Sequence, residues 1–286
     1  MIHDSIPFVF FGTPELSAEI LEHLKCKGLV PSLIVTNPDR PQGRKLVLTP
    51  PPVKIWAIKN NIPFLQPENL LDPIFLGKLS TISHQLFVVV AYGKIIPKEI
   101  LAIPSKGTLN IHYSLLPKYR GASPIESQIL NDDRHPGISI LLLDEKMDHG
   151  PIVATRDVSA PHWPPTGLEL RAWSNKVGGE LLAEIIPLWA EGKIMAKDQD
   201  HTLATYAPKI EKSQGEINFS DDPYKNFLKI QAFAGWPGTF FFVGESGQKK
   251  RILITDASYE NNLLVIKKVV PEGKSEMSYT EFKGAK

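Results

Sequence analysis

The sequence holds one cysteine, Cys26, among 286 residues. A single thiol excludes an internal disulfide and a cysteine-based zinc site. It also fits a reducing compartment, so a cytoplasmic protein is expected. No apolar run approaches the roughly 18 residues of a membrane span, so no membrane association is expected. Residues 1–7 lack a basic stretch followed by an apolar one, so a secretory signal is not expected either. Charge of one sign is also missing: 32 Lys+Arg stand against 31 Asp+Glu, a net charge of +1. That excludes a generally basic nucleic-acid binder and leaves any such contact to local, salt-sensitive patches. Glycine is sparse where nucleotide binders need it. The first apolar run ends in Gly12-Thr13-Pro14-Glu15, with one glycine where the dinucleotide fingerprint has three, and no phosphate-loop motif occurs. Hydrophobic residues at 42% and charged residues at 22% are ordinary soluble usage, which excludes collagen, coiled coil and disorder for the whole chain.

What remains is a regular alternation. Pro7–Phe11 is an apolar run of strand length. Thr13 before Pro14 has the pattern of an N-cap followed by proline at the first helical position. Leu16, Ile20, Leu21 and Leu24 then recur at helical spacing. Ser32–Thr36 forms the next strand, and 37–52 is a long loop with five prolines. Val53–Asn60 is helical. Ile62–Leu65 is a short edge strand, because Pro63 has no N–H to give to a ladder. Leu86–Ala91 is continuously apolar, as a strand covered on both faces requires. Gly107–His112 and Ile138–Leu143 complete the series. Strands separated by helices indicate a parallel sheet with crossover helices, an α/β doubly wound fold. Such sheets bind ligands beyond the carboxyl ends of their strands. Leu181, Leu182, Ile185, Ile186 and Trp189 mark a further helix that Pro187 should kink or end. Past Glu191 the pattern changes to short β-rich runs with Gly or Asn turns, indicating a small β domain. The expected division is 1–190, a linker over 191–208, and 209–286.

Two segments carry candidate chemistry. In a strand, residues two apart share a face, so Asn110 and His112 project together from a strand end. An asparagine donates without titrating, and a histidine titrates near neutral pH. Together they suit the oxyanion of a carbonyl under attack. Asp148, in the turn Met147-Asp148-His149-Gly150, is loop-borne and able to orient His112, raise its pKa and accept a proton from an amine. Alone, a strand-end Asn-x-His and an Asp-containing turn also suit purely structural roles. His149 reads as solvent-facing, and His84 and His201 have no partner legible in the sequence. Spacing by itself stops at an α/β enzyme of unspecified chemistry.

Longer motifs go further. Asn110-Ile111-His112, Ser114-Leu115-Leu116-Pro117-Lys118-Tyr119-Arg120-Gly121 and Asp148-His149-Gly150-Pro151-Ile152 together resemble the folate-dependent formyltransferases. Phe11–Pro14, Asp39–Arg44 with Lys45-Leu46, Val88–Gly93, Thr205–Ile210 and Trp236–Gly238 extend the resemblance over nearly the whole chain. They favour the branch whose acceptor is the methionyl group of initiator tRNA. The resemblance implies a doubly wound N-terminal domain and a C-terminal barrel of the OB type. It implies Asn110, His112 and Asp148 as the catalytic trio. Ser114, Leu115, Leu116 and Pro117 would belong to the folate site, and Arg40, Arg44 and Lys45 to a loop that meets the tRNA. The donor would be 10-formyltetrahydrofolate, with no metal, and the enzyme a monomer. The rival acceptor is another amine, such as an amino-sugar nucleotide. Two departures from the family pattern stand out. Tyr113 replaces a smaller residue, and the C-terminal region is short enough to cost its barrel a strand or some loop length.

Overall fold

A computed structural model describes residues 6–43, 45–81, 85–244 and 249–284. Its first strands are β1 (Phe8–Gly12), β2 (Leu33–Val35), β3 (Arg40–Gln42), β4 (Val47–Thr49), β5 (Phe64–Leu65), β6 (Leu86–Val90), β7 (Thr108–His112), β8 (Arg120–Gly121), β9 (Gly137–Leu142) and β10 (Ile152–Asp157). The helices over the same stretch are α1 (Glu15–Cys26), α2 (Pro52–Lys59), α3 (Pro73–Thr81), α4 (Lys98–Leu101), α5 (Pro124–Leu130) and α6 (Gly167–Ala190). Then come β11 (Tyr206–Ala207), α7 (Pro223–Ala232), β12 (Thr239–Val243), β13 (Lys250–Glu260), β14 (Leu263–Pro271), β15 (Met277–Ser278) and α8 (Tyr279–Gly284). Among the described residues, no helix is long and apolar enough to cross a membrane.

The main sheet has the order β10-β9-β7-β6-β1-β2-β5. Five strands, β5 through β7 in that order, run parallel. β9 and β10 add two antiparallel strands at one edge. β1 and β6 are buried along their whole length, which explains their unbroken apolar sequences: helices cover both faces. The core beside them joins Phe11, Phe87, Leu79, Ile100 and Tyr92, each such side chain contributing roughly 1.5–3 kcal/mol on burial. The chain runs outward from β1 to β2 and β5, then returns to β6 and β7. The order therefore reverses between β1 and β6, which marks the switch point where such sheets take ligands.

Local chemistry tightens that point. The last residue of β1 has to be glycine, because a Cβ at Gly12 would stand 2.6 Å from the Phe10 ring and 2.8 Å from the Ser17 Cβ. Ser17 Oγ donates to the Val90 carbonyl at 2.7 Å, and Thr13 Oγ1 donates to the Tyr92 carbonyl at 3.0 Å. Thr13 thus does not cap α1. Pro14 holds the cap position with no side-chain hydrogen bond, because the threonine hydroxyl is spent across the switch point. Pro187 does not end its helix either. α6 runs on to Ala190, since a proline so near the terminus removes only one bond of the last turn. The proline-rich loop contains a small hairpin, β3 with β4. Its base is anchored where Lys54 Nζ and Gln66 Nε2 both donate to Asp39, at 2.8–2.9 Å.

The chain forms two compact units: residues 1–120, 137–158 and 174–205 in one, and 121–136, 159–173 and 206–286 in the other. In the second unit, β12 to β15 make a four-stranded antiparallel sheet. Its core is Ile217, Ile230, Phe241, Ile252, Ile254, Ile266 and Val269. The expected small β domain is present, and among the described residues four strands pair in this sheet. The segment after α6 is held within the first unit, where Lys197 and Ile152 exchange two backbone hydrogen bonds of 2.8 Å.

Candidate active site

β7 delivers the first two candidates. Asn110 pairs in register with Val89 of β6 and Leu141 of β9, and His112, the strand's last residue, with Ser139 of β9. The alternation of the strand puts both side chains on one face. Asn110 is half-buried, and among the described residues its side-chain amide has no hydrogen-bond partner in the protein. It is therefore available as a donor.

Asp148 arrives from the β9–β10 connection. Its Oδ2 stands 3.5 Å from His112 Nδ1, with the two side chains 12% and 5% exposed. On the other side of the ring, Nε2 lies 2.9 Å from the Tyr119 carbonyl oxygen. The imidazole is thus bracketed by two acceptors. Burial pushes the His112 pKa below the ordinary imidazole value. The Asp148 carboxylate and the Tyr119 carbonyl oppose that, and the Arg120 guanidinium reinforces it. From the sequence, Asp148 is expected to raise the pKa of His112. Asp148 does pull in that direction, but desolvation in a fully buried position is the larger effect. A neutral His112 that donates from Nε2 to Tyr119 turns its Nδ1 lone pair towards a carboxylate. Only the imidazolium satisfies both acceptors.

Ser114, Leu115, Leu116 and Pro117 follow directly. Ser114 is fully buried, and its hydroxyl is committed to the Lys118 carbonyl at 2.6 Å. Ser139 Oγ donates to the Ser114 carbonyl and accepts from the Leu116 amide. Leu116 is buried, while Leu115 and Pro117 are half-exposed. Tyr113 points away from this face: its hydroxyl donates to Asn175 Oδ1 on α6 at 2.8 Å. At the carboxyl end of β2, Asn37 Nδ2 donates to the Tyr92 carbonyl at 2.9 Å. Among the described residues, Asn37 Oδ1 and Thr36 Oγ1 are buried with no hydrogen-bond partner. These orphaned atoms beside the switch point suit a polar heterocycle, and no motif in the sequence points to them.

Arg40 and Lys45 are exposed on the hairpin, and Arg40 pairs with Glu68 at 2.6 Å. Arg44 lies outside the described residues. The hairpin also exposes Leu46, Val47 and Leu48, an apolar tip that sequence reasoning missed. His149 is not simply solvent-facing: its ring stacks on His201 at 4.0 Å, and its Nδ1 meets Asp144 Oδ2 at 2.7 Å. His84 lies outside the described residues. A separate cleft of about 450 Å³ in the second unit is lined by Arg134, Trp163, Pro164, Tyr224, Phe227 and Tyr259, and contains none of the expected site residues.

Comparison with known proteins matches the chain to a family. The family model described as Formyl transferase covers residues 6–184. The chain is similar to methionyl-tRNA formyltransferases of Thermodesulfovibrio yellowstonii, at 36% identity over 96% of this chain and 94% of that protein, and of Herpetosiphon aurantiacus, at 38% over 97% of each. The solved methionyl-tRNA formyltransferase from Clostridium thermocellum superposes with a TM-score of 0.62 at 18% identity, covering 93% of this chain and 98% of that one. An N-formyltransferase from Helicobacter canadensis, solved with folinic acid and dTDP-3-aminofucose, shares the fold at a TM-score of 0.66 and 17% identity over 89% of each chain.

A family model over more than half of the chain, on a doubly wound sheet shared with solved formyltransferases, shows that the chain belongs to the formyltransferase family. Its full-length relatives at 36–38% identity place it among the methionyl-tRNA formyltransferases.

Proposed function

We propose that this chain transfers a formyl group from 10-formyltetrahydrofolate to the α-amino group of methionine esterified to initiator tRNA, with Asn110, His112 and Asp148 as the catalytic residues. The observation that carries the reading is the convergence of an unengaged amide, a buried imidazole and a carboxylate in one unit of a family member. The donor supplies an activated formyl carbon. The protein must then do three things: stabilise an oxyanion, take a proton from the incoming amine, and return it to the departing nitrogen.

An α-amino group titrates at about 7.7–8.0, and an ester neighbour lowers that. Much of the acceptor is therefore neutral at pH 7, and no strong base is needed. Asn110 donates to the oxyanion that forms as the amine adds, a contact worth roughly 2.7–4 kcal/mol in comparable oxyanion holes. Asp148, the more exposed partner of the pair, takes the proton that the amine loses and shares it with His112 across the Nδ1–Oδ2 line. The neutral resting state of His112 is what lets it accept. The imidazolium then satisfies Asp148 and Tyr119 together while its charge faces the oxyanion. The same proton returns through Asp148 to the leaving nitrogen of the folate.

The folate site is assigned to Ser114–Pro117, where Ser114 shapes the backbone and Leu115 and Pro117 present surface. Thr36 and Asn37 add polar atoms at the switch point. Arg40, Arg44 and Lys45 position the tRNA acceptor end through phosphate contacts. The enzyme acts as a cytoplasmic monomer. The test offers labelled formyl donor with charged initiator tRNA, uncharged tRNA and amino-sugar nucleotides. Label on methionyl-tRNA alone is the expected result. Label on an amino sugar instead would replace the acceptor.

A further inference from the structure

Asp148 occupies an unfavourable backbone state. Its φ is +50°, a left-handed conformation that costs a non-glycine residue roughly 1–2 kcal/mol. Such residues persist where the surroundings over-determine them. Gln199, far away in sequence and 7% exposed, restrains it. Its Nε2 donates to the Asp148 carbonyl at 2.9 Å and to the Gly150 carbonyl at 2.7 Å. Its Oε1 accepts from Arg120 Nε at 3.2 Å and Nη2 at 2.6 Å. Only one amide orientation fits, because a guanidinium can only donate and carbonyls can only accept. Arg120 is itself 3% exposed and also donates Nη2 to His201 Nδ1 at 2.9 Å. The exchange of backbone bonds between Lys197 and Ile152 fixes the segment that carries Gln199.

We propose that Gln199 is a positioning residue for formyl transfer: its amide, held by Arg120, fixes the turn from Asp148 to Gly150 and thereby sets the Asp148 carboxylate against His112. The inference rests on the reading of Asp148 and His112 as catalytic, and goes beyond it by naming what holds them. Nothing in Gln199 need touch a substrate. Its effect must pass through the Asp148–His112 geometry, which gives it two signatures that a packing residue lacks.

The first signature is kinetic. Gln199→Leu removes both donated bonds without adding charge. It should lower kcat by about 10- to 100-fold, as a shift of the order of 1 Å does in other sites, while KM for both substrates stays within about two-fold. The second is spectroscopic and needs no turnover. In the NMR titration of His112, the groups facing the ring are Asp148, the Tyr119 carbonyl and Arg120. With Asp148 displaced, the midpoint should move to lower pH. Gln199→Glu guards against misfolding in the leucine variant. Its carboxylate still accepts from Arg120 but faces the two carbonyls without a proton to donate, so the same kcat loss is expected from a folded protein. An unchanged His112 midpoint in Gln199→Leu, or near-normal kcat in Gln199→Glu, overturns the proposal. Normal turnover in Asp148→Asn would instead overturn the catalytic reading, so the two failures are told apart.

Discussion

Gly150→Ala offers the sharpest test of the idea that backbone placement of Asp148 governs the chemistry. A Cβ built on Gly150 lies 1.9 Å from the Leu142 carbonyl oxygen and 3.0 Å from its carbon. Ordinary contact begins at 3.4 Å, so the new methyl is about 1.5 Å too close to an atom of the sheet. Leu142 is the last residue of β9, and its amide is already bonded to the Pro151 carbonyl at 2.9 Å. It has little freedom to retreat. The turn must move instead, stretching the 2.7 Å bond from Gln199 to the Gly150 carbonyl and carrying Asp148 away from His112. A displacement of this size should cost about 100-fold in kcat, which is about 2.7 kcal/mol of barrier. The crowding should also cost about 1–3 kcal/mol of stability. Single-turnover formyl transfer with saturating donor and methionyl-tRNA measures the first, and a denaturant titration with matched far-UV circular dichroism the second. A folded Gly150→Ala protein with kcat within two-fold of wild type would refute the reasoning, because it would show that the turn need not stand where it stands.

Other substitutions divide the site by role. Asp148→Asn should nearly abolish transfer with the fold intact, as checked by turnover and circular dichroism together. Asn110→Ala should lower kcat by roughly the 10²–10³-fold of other oxyanion-hole deletions, with folate affinity by fluorescence titration unchanged. Arg44→Ala should weaken tRNA use, read as a raised KM for methionyl-tRNA, and leave folate binding as it was. Stability should fall with acid. The folded-state pKa of His112 is depressed, so below the ordinary value of about 6.5 the unfolded chain binds more protons than the folded one. The stabilisation is therefore complete above that value and is lost as pH falls towards the folded pKa, at up to about 1.4 kcal/mol per pH unit. Denaturant midpoints at pH 7 and pH 5 in wild type and His112→Asn measure it, and the slope should shrink in the variant.

How much of this was legible in the sequence depended on the range of the interaction. β1 and β6 declared themselves because a strand covered on both faces must be apolar throughout. α1 followed from the spacing of Leu16, Ile20, Leu21 and Leu24, and the shared face of Asn110 and His112 needed only the pleat of a strand. The hairpin of β3 and β4 was hidden. Its strands are three residues long, one contains Pro41, and its exposed Leu46, Val47 and Leu48 do not alternate with polar residues. Thr13 misled because its hydroxyl serves the Tyr92 carbonyl in the loop past β6, a use that local capping patterns do not encode. His149 misled because its stacking partner, His201, lies beyond β10 and α6. Gln199 was invisible because two of its partners are backbone carbonyls, which leave no trace in side-chain patterns. The interleaving of 121–136 and 159–173 with the C-terminal residues was equally out of reach, since contacts distant along the chain decide it.

The depressed pKa of His112 bears on why the pair is buried. If Asp148 simply held a permanent imidazolium, the favourable contact would exist equally before and during reaction, and uniform stabilisation of that kind does not raise kcat. Burial alters the balance. In the resting protein desolvation outweighs the pull of Asp148 and Tyr119 and favours the neutral ring, with one nitrogen lone pair facing a carboxylate. In the proposed mechanism, a proton released by the attacking amine removes that mismatch at the moment when negative charge appears on the formyl oxygen. The two acceptors around His112 are satisfied only in the charged state, so on the proposed reading their contribution concentrates in the transition state. Moving the pair to the surface would raise the imidazole pKa and weaken that distinction. A site built on this logic needs tight control of the His112–Asp148 separation, which accounts for a strained Asp148 backbone held by a buried amide.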